Sequence, residues 1–221
     1  NPKLNTIFFV HADNNTSIHD DNSDGFLDHP TFKGFNFFNR YQYTDLDKGI
    51  VSFLGFRYMK NDKKAGEDVA NLKLKRMAWV SEIKTDRFDS NFKLGYVNPR
   101  IPYRSTGFQM AYSAHNQKSF FGLRDYNIKQ NSYYSSFLYN SIIGNTMNKI
   151  KTGLNFYYDD FEEIVDQTKT NYNRIDKSIG GFFEYSYDNL DDVSLVAGLW
   201  YDIHNNLGSF ITPRMHVRYQ P

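Results

Sequence analysis

Apolar and polar residues alternate along most of this chain. In residues 193–204, every second residue from Val193 to Ile203 is apolar or aromatic, and the intervening set ends on the polar pair Asp202 and His204. The same alternation runs through residues 106–116, 149–160 and 213–219. A period of two is the signature of β-strands, and no comparable stretch has the 3.6-residue apolar spacing of a helix. The pattern therefore predicts an all-β, antiparallel protein.

The alternation predicts about ten strands joined by connections of alternating length. The strands are expected over residues 4–12, 32–45, 48–60, 79–97, 105–117, 131–144, 147–161, 175–189, 192–205 and 210–220. Short connections are expected at 45–48, 98–104, 144–148 and 188–192, and long ones at 13–31, 61–78, 118–130 and 162–174. Only the last connection, 205–209, breaks this rhythm. Short turns at one end and long loops at the other are typical of outer-membrane β-barrels.

The length of these strands also favours a transmembrane barrel wall over a soluble sheet. Strands of soluble proteins average about 5–6 residues, whereas several of the predicted strands exceed about 12. Apolar residues such as Leu154 and Leu195 are then expected to face lipid, and polar residues such as Asn155 to face a wet or filled interior. Tyrosines near the strand ends fit interfacial girdles: Tyr41, Tyr43, Tyr157, Tyr158, Tyr185 and Tyr187.

Composition narrows the classes of function further. The 221 residues include 20 Phe, 17 Tyr and 2 Trp, carry a net charge of +1 and contain no Cys. Without Cys there is no disulfide scaffold, thiolate zinc site or thiol catalysis in this sequence. A nucleic-acid partner is not expected, because such binding requires a basic surplus. The mean hydropathy of −0.65 does not oppose a membrane barrel, since only every second residue of its strands is apolar.

An acidic segment predicts a calcium site in the first long connection. Its oxygen ligands would be Asp20, Asn22, Asp24, the carbonyl of Phe26, and Asp28. Alternating oxygen ligands followed by a glycine, here Gly25, are how a calcium loop wraps the ion. Position 12 of such a loop would be Thr31 instead of Glu, so water or a distant carboxylate would complete the coordination. The alternative is a solvated acidic loop with a turn at Asp24 and Gly25.

Other charged residues fall on the phase expected to face the interior. Two basic rows carry Lys149 with Lys151, and Arg214 with His216 and Arg218. They are expected to pair with acidic residues such as Glu184 and Asp202, and the alternative is guidance of anions. His115 and His204 share this phase and are expected to be polar lining or ligand contacts.

Catalysis is not expected. The sequence contains no Gly-x-Ser-x-Gly nucleophile motif, no His-Glu-x-x-His zinc motif and no glycine-rich phosphate loop. The pair Asp202 and His204 has no candidate nucleophile near it in sequence. The chain is therefore interpreted as a non-enzyme.

Several segments of the chain resemble the barrel of TonB-dependent outer-membrane receptors. The segments are residues 24–28, 37–40, 119–126, 130–133, 141–145, 151–156, 194–199 and 212–219. The most widespread element is Thr212-Pro213-Arg214, and the narrower one is the Phe-Gly-Leu-Arg run at 121–124. The likeness is to cobalamin or iron-siderophore receptors, and it spans nearly the whole chain.

The resemblance implies a mid-barrel segment of a nutrient transporter in the outer membrane of a Gram-negative bacterium. Residues 1–221 would form part of a 22-stranded barrel whose plug domain and other strands lie outside this sequence. The receptor would bind a scarce nutrient such as cobalamin or a siderophore, and TonB would act through the plug to release it. In some cobalamin receptors calcium orders external loops, and the resemblance in loop type implies the same role for an ion at 20–28.

Two other functions are compatible with the sequence. The first is a complete small outer-membrane barrel that acts as an adhesin or a hydrolase, in which strand 4–12 would pair with strand 210–220. The second is a soluble β-sheet binding module, which would cover its apolar face with a second protein layer.

Overall fold

The computed structural model describes residues 3–68, 78–165, 170–189 and 191–220. All regular secondary structure in these ranges is β-strand. The strands are β1 (Leu4–Asn15), β2 (Thr31–Asp45), β3 (Ile50–Gly66), β4 (Val80–Val97), β5 (Ser105–Phe121), β6 (Arg124–Ile143), β7 (Asn145–Val165), β8 (Thr170–Asn171), β9 (Arg174–Asp188), β10 (Val193–His204) and β11 (Gly208–Tyr219). The chain is therefore all-β, as its alternating pattern predicted.

The strands form one antiparallel meander. The order across the sheet is β1-β2-β3-β4-β5-β6-β7-β9-β10-β11, and the two-residue β8 pairs with the end of β7. Within the described residues, β1 and β11 each pair along one side only, so the sheet is open. A complete ten-stranded barrel requires β1 to pair with β11, and these two strands do not pair in the described residues.

The sheet is a single layer without a conventional core. A compact folded protein of this mass should expose about 10,500 Å², whereas this chain exposes 15070 Å². Among the described residues, Phe182 is the only buried hydrophobic side chain. The Phe182 ring stacks on the Trp200 ring with 5.2 Å between the ring centroids. The Phe182 ring also occupies the space beside Gly153, because a Cβ on Gly153 would lie 2.7 Å from Phe182 Cε1.

The predicted long connection at 118–130 is wrong. Strand β5 continues to Phe121 and β6 begins at Arg124, so a tight turn replaces the loop. Gly122 has a φ of +62°, which glycine adopts without strain, and its amide donates to Val80 O at 2.9 Å. The polar residues near this turn are paired across the hairpin, because the amide of Ser119 donates to Asn127 Oδ1 at 3.1 Å.

Two other long connections are partly replaced by strand. Strand β3 extends to Gly66 and β4 starts at Val80, while residues 69–77 of the predicted 61–78 connection lie outside the described ranges. Strand β7 reaches Val165, and residues 166–169 of the predicted 162–174 connection also lie outside them. The strands therefore extend further toward the long-connection end than the apolar alternation alone indicated.

Side-chain hydrogen bonds close the short turns. Asn189 Oδ1 accepts from the amides of Asp191, Asp192 and Val193 at 2.9–3.1 Å. Lys3 Nζ donates to Asp45 Oδ2 at 2.8 Å, and this hydrogen bond raises the pKa of the Lys3 amine. These contacts stabilise the end of the sheet at which the predicted short connections lie.

Candidate functional site

The two faces of the sheet differ in chemistry. Residues directly opposite each other in an antiparallel pair share a face, so the register assigns every strand residue to one side. One continuous row contains Leu4, Tyr43, Ser52, Leu94, Phe108, Phe137, Leu154, Gly181, Tyr201 and Ile211. We call this side the apolar face and the opposite side the polar face. The register places Leu154 and Leu195 together on the apolar face and Asn155 on the polar face, which is the division that the alternation predicted.

Nothing in the described chain covers the apolar face. Phe8 on β1 is 67% exposed, Leu154 on β7 is 63% exposed, and Met215 on β11 is 74% exposed. A soluble monomer seldom leaves an apolar surface of this extent in contact with water. The face therefore requires an apolar environment from outside the described residues.

The apolar residues form a band that crosses the strands obliquely. On β1 the band runs from Leu4 to Ala12 with Phe8 at its centre, and on β11 it runs from Ile211 to Tyr219 with Met215 at its centre. The row through Phe8 meets β7 at Tyr158, whereas the row through Met215 meets β7 at Ile150.

The offset between the two rows gives the inclination of the strands. It is eight residues, from Ile150 to Tyr158, or about 26 Å at roughly 3.3 Å per residue. The nine strand-to-strand steps from β1 to β11 span about 43 Å at roughly 4.8 Å each. The strand direction is therefore tilted by about 30° from the line that crosses the apolar band at right angles. This angle is close to the 35–45° tilt of strands in membrane barrels.

A polar residue inside the apolar band is satisfied by the neighbouring strand. Asn39 lies on the apolar face of β2 and is buried. Its amide donates to the carbonyl of Ile7 at 3.1 Å and to the hydroxyl of Thr6 at 3.3 Å. These hydrogen bonds remove the cost of an exposed amide in an apolar environment.

The polar face of β3–β5 carries an ordered ion pair. Arg87 makes a bidentate contact with Asp89, with N–O distances of 2.9–3.0 Å. Arg57 lies directly opposite Asp89 and His115 directly opposite Arg87, while Arg57 Nε donates to Asn36 Oδ1 at 3.4 Å. The charged and polar side chains on this part of the polar face can form hydrogen bonds with polar or charged groups that contact it.

A second polar cluster lies on β6, β7 and β9. Asp159 is 1% exposed and accepts hydrogen bonds from the Ser132 hydroxyl and, at 3.2 Å, from Gln130 Nε2. Asp176, opposite Asp159 in the register, accepts from Asn206 Nδ2 at 2.7 Å. The sequence interpretation missed both clusters, because it counted residue types along single strands and the contacts arise between strands.

The predicted interior rows all lie on the polar face. Lys151 is directly opposite Glu184, whereas Gly198 separates Glu184 from Arg214. Asp202 is opposite Gly180 and Phe210 instead of a basic residue. The expected pairing of basic rows with acidic wall residues is therefore in register for Lys151 only.

His204 has a structural contact at the strand end. Its Nδ1 accepts from the amides of Asn206 and Leu207 at 3.1 and 3.3 Å. These bonds close the turn between β10 and β11, which supports the interpretation of His204 as polar lining that shapes the wall.

The acidic loop brings several predicted calcium ligands together around its own backbone. Asp20 accepts from the amides of Asp24 and Gly25 at 3.0 and 2.9 Å, and Asn22 Oδ1 accepts from the amide of Asp24 at 3.1 Å. Asp28 accepts from the amide of Asp21 at 2.8 Å.

Phe26 joins the loop to the end of β3. It forms an isolated bridge with Glu67, and its amide donates to Asp24 Oδ1 at 2.8 Å. In the part of the chain that the structure describes, no group of three or more His, Cys, Asp or Glu residues is arranged to hold a metal ion. The calcium site therefore stays a prediction.

The described residues contain no helix with the length and hydropathy of a membrane-crossing helix. A scan against models of known protein families finds no match for this chain. A search among curated proteins likewise finds no similar protein.

Proposed function

We propose that the chain is a wall segment of a TonB-dependent outer-membrane receptor that takes up a scarce nutrient such as cobalamin or an iron-siderophore. The observation that carries the proposal is the uncovered, oblique apolar band on a meander of long antiparallel strands. The likeness of segments such as 119–126 and 212–219 to this receptor family adds the specific class. The two open edges fit a wall that further strands complete.

The strand lengths support a wall that extends beyond the bilayer. Spanning a membrane takes about 9–11 tilted residues per strand, whereas β6 has 20 residues and β7 has 21. Beyond the band the apolar face becomes charged, at Lys60, Asp86 and Lys129. In the proposed orientation this end lies outside the cell, and the connections at 46–49, 98–104, 144 and 189–192 face the periplasm.

The proposal assigns a role to each face. The apolar face contacts lipid, which requires no hydrogen bonds from the wall. The polar face lines a hydrated interior, where the plug of the complete receptor would sit and where TonB would act through that plug. The acidic loop at 20–28 lies at the external end, where a calcium ion would order it for nutrient binding.

Fluorescence quenching in membranes tests the lipid contact. Because residues 1–221 contain no Cys, Leu154→Cys and the matched control Asn155→Cys can each carry a bimane label in the intact receptor, with any cysteine elsewhere replaced. Brominated lipids should quench the label strongly at position 154 and weakly at position 155. Equal quenching at both positions would contradict the proposed wall.

An uptake assay tests the receptor class. Cells lacking the receptor gene and cells lacking TonB should both lose accumulation of labelled cyanocobalamin or of a ferric siderophore, and the intact gene should restore it in the first strain only. Accumulation that persists without TonB would reject the TonB-dependent mechanism and leave the membrane-wall assignment to the quenching data.

A further inference from the structure

We infer that the polar face of β3–β5 binds an apolar side chain of a polypeptide segment that fills the interior, and that this segment presents a carboxylate to Lys93. The binding place is a depression with a volume of about 230 Å³. Its floor is Gly95 on β4 and Gly107 on β5, which lie directly opposite each other near the predicted short connection of these strands. We call this depression the glycine socket.

The packing of the wall does not require these two glycines. A Cβ on Gly95 would lie 3.7 Å from its nearest neighbour, Val51 O, and a Cβ on Gly107 would lie 3.8 Å from Leu138 Cβ. These are ordinary contact distances, and neither glycine has a positive φ. Alanine would therefore fit at both positions.

Other glycines on the polar face differ in this respect. A Cβ would come within 3.0 Å of a neighbouring atom at Gly34, Gly55, Gly153, Gly180 and Gly198. Glycine weakens a strand, and in a strand interior it often marks a place where a ligand or another backbone approaches closely. Because nothing in the described wall explains Gly95 and Gly107, we assign the close approach to a group outside the described residues.

The neighbouring side chains leave the floor of the glycine socket open. Leu138 lies opposite Gly107, but a Cβ on Gly153 of the next strand would lie 3.1 Å from Leu138 Cδ2, so Leu138 leans away from the socket. Gln109 Nε2 donates to the hydroxyl of Tyr134 at 3.4 Å, which directs this side chain toward the long-connection end. Both glycines are only partly buried.

The walls and the size of the glycine socket favour an apolar side chain. Val51, Phe53 and Leu138 line it, and the Phe53 ring is held by the Arg40 guanidinium at 4.5 Å from the ring centre. Sites for small molecules have volumes of about 300–1,000 Å³. A depression below that range fits one side chain of a polypeptide better than a nutrient.

Lys93 supplies a charge at the rim of the glycine socket. It precedes Gly95 by two residues on the same face, is exposed, and makes no ion pair within the described residues. Asp89 is the only carboxylate on the polar face of β2–β6, and it is held by the bidentate contact with Arg87. A carboxylate next to the apolar side chain of the bound segment would therefore complement Lys93.

This inference rests on the proposed function, because it requires that the polar face encloses an interior. The glycine socket lies at the end that this function places toward the periplasm, away from the external loops. The plug of the proposed receptor is a polypeptide that can reach it there. The inference deepens the proposed function by naming where the wall would hold the plug and which side chains the plug would present.

Carbodiimide cross-linking of the purified proposed receptor tests the inference. The reagent joins an amine to a carboxylate in direct contact with it, with loss of water. Mass spectrometry should find an amide between Lys93 and an Asp or Glu outside residues 1–221, next to an apolar residue. Gly107→Leu fills the glycine socket and should lower the yield of this product at least about tenfold, the factor that corresponds to burial of one apolar side chain.

Two further variants control the comparison. Gln117→Leu adds the same side chain to the same face of β5, about 33 Å from Gly107 at roughly 3.3 Å per residue, and should leave the yield unchanged. Gly107→Ala, whose Cβ meets no close neighbour, should lower the yield by a smaller factor and replaces Gly107→Leu if that variant does not fold.

Three outcomes would overturn the inference. The first is a yield that filling the glycine socket does not change, and the second is an equal loss in Gln117→Leu. The third is an acceptor carboxylate that lies on a separate protein purified with the receptor. The bimane label at position 154 is measured in the same preparations, so strong lipid quenching without a cross-link from Lys93 rejects this inference alone, whereas absent quenching rejects the proposed function.

Discussion

At the scale of the residue, the side of the sheet decides what each position tolerates. Leu154 and Asn155 are consecutive on β7, yet one belongs to an uncovered apolar band and the other to a polar face. The alternation along 149–160 predicted this difference from sequence. The contacts of Asn39, Arg87 and Asp159 were not predictable in the same way, because each depends on which residues of the next strand lie opposite.

In the proposed receptor, replacing Leu154 with Arg should lower the free energy of unfolding by about 2–4 kcal/mol, because a charge would enter hydrocarbon near the bilayer centre. Denaturant titration of the protein in lipid vesicles measures the change. The matched Asn155→Arg variant should lose much less, and similar losses at both positions would contradict the assignment of faces.

Replacing Gly153 with Ala should destabilise the wall by about 1–3 kcal/mol through overpacking. A Cβ at this position would lie 2.4 Å from the carbonyl oxygen of Phe137 and 2.7 Å from the Phe182 ring. The control is Gly107→Ala, where the nearest atom would be 3.8 Å away. Thermal denaturation of both variants gives the comparison, and equal melting temperatures would show that Phe182 moves aside freely.

At the scale of the element, the strands were predictable and their outer ends were not. Alternation of apolar and polar residues marks a strand where one face is apolar. Past the apolar band this alternation is lost, because Lys118, Asn127 and Lys129 lie on the apolar face while Phe121 and Ile128 lie on the polar face. The residues from Lys118 to Gln130 were therefore predicted to be a loop. The hairpin is held there by cross-strand hydrogen bonds, which composition does not reveal.

The hairpin at 119–126 should exchange its backbone amides slowly. Its amides are paired across β5 and β6, whereas most of the amides in residues 16–30 are outside any ladder. Hydrogen exchange followed by mass spectrometry should show protection of 119–126 well above that of 16–30. Comparable, rapid exchange in both segments would restore the loop that the sequence predicted.

The acidic loop offers a test of its proposed ion. An ordered loop of this size loses considerable conformational entropy, and a divalent cation that binds its carboxylates would offset part of that loss. Calcium should slow proteolysis of residues 13–31 in the proposed receptor, and Asp24→Ala should remove most of this effect. Proteolysis of the parent protein that is insensitive to calcium would leave a solvated acidic loop stabilised by its own backbone.

At the scale of the whole molecule, the oblique direction of the apolar band cannot be seen in any single strand. It follows from the register of the whole sheet, which aligns Phe8 on β1 with Tyr158 on β7 and Met215 on β11 with Ile150 on β7. The sequence predicted which residues are apolar, but not their relative heights, since those depend on turn lengths and pairing across the sheet.

The unpaired borders at β1 and β11 have a consequence for assembly. Each border presents a ladder of twelve residues whose outward main-chain groups find no mate within the described sheet. Edge strands with unpaired N–H and C=O groups form hydrogen bonds with any extended polypeptide that reaches them. Residues 1–221 produced in isolation would therefore be expected to accumulate as insoluble aggregates, unless another extended strand pairs with each border first.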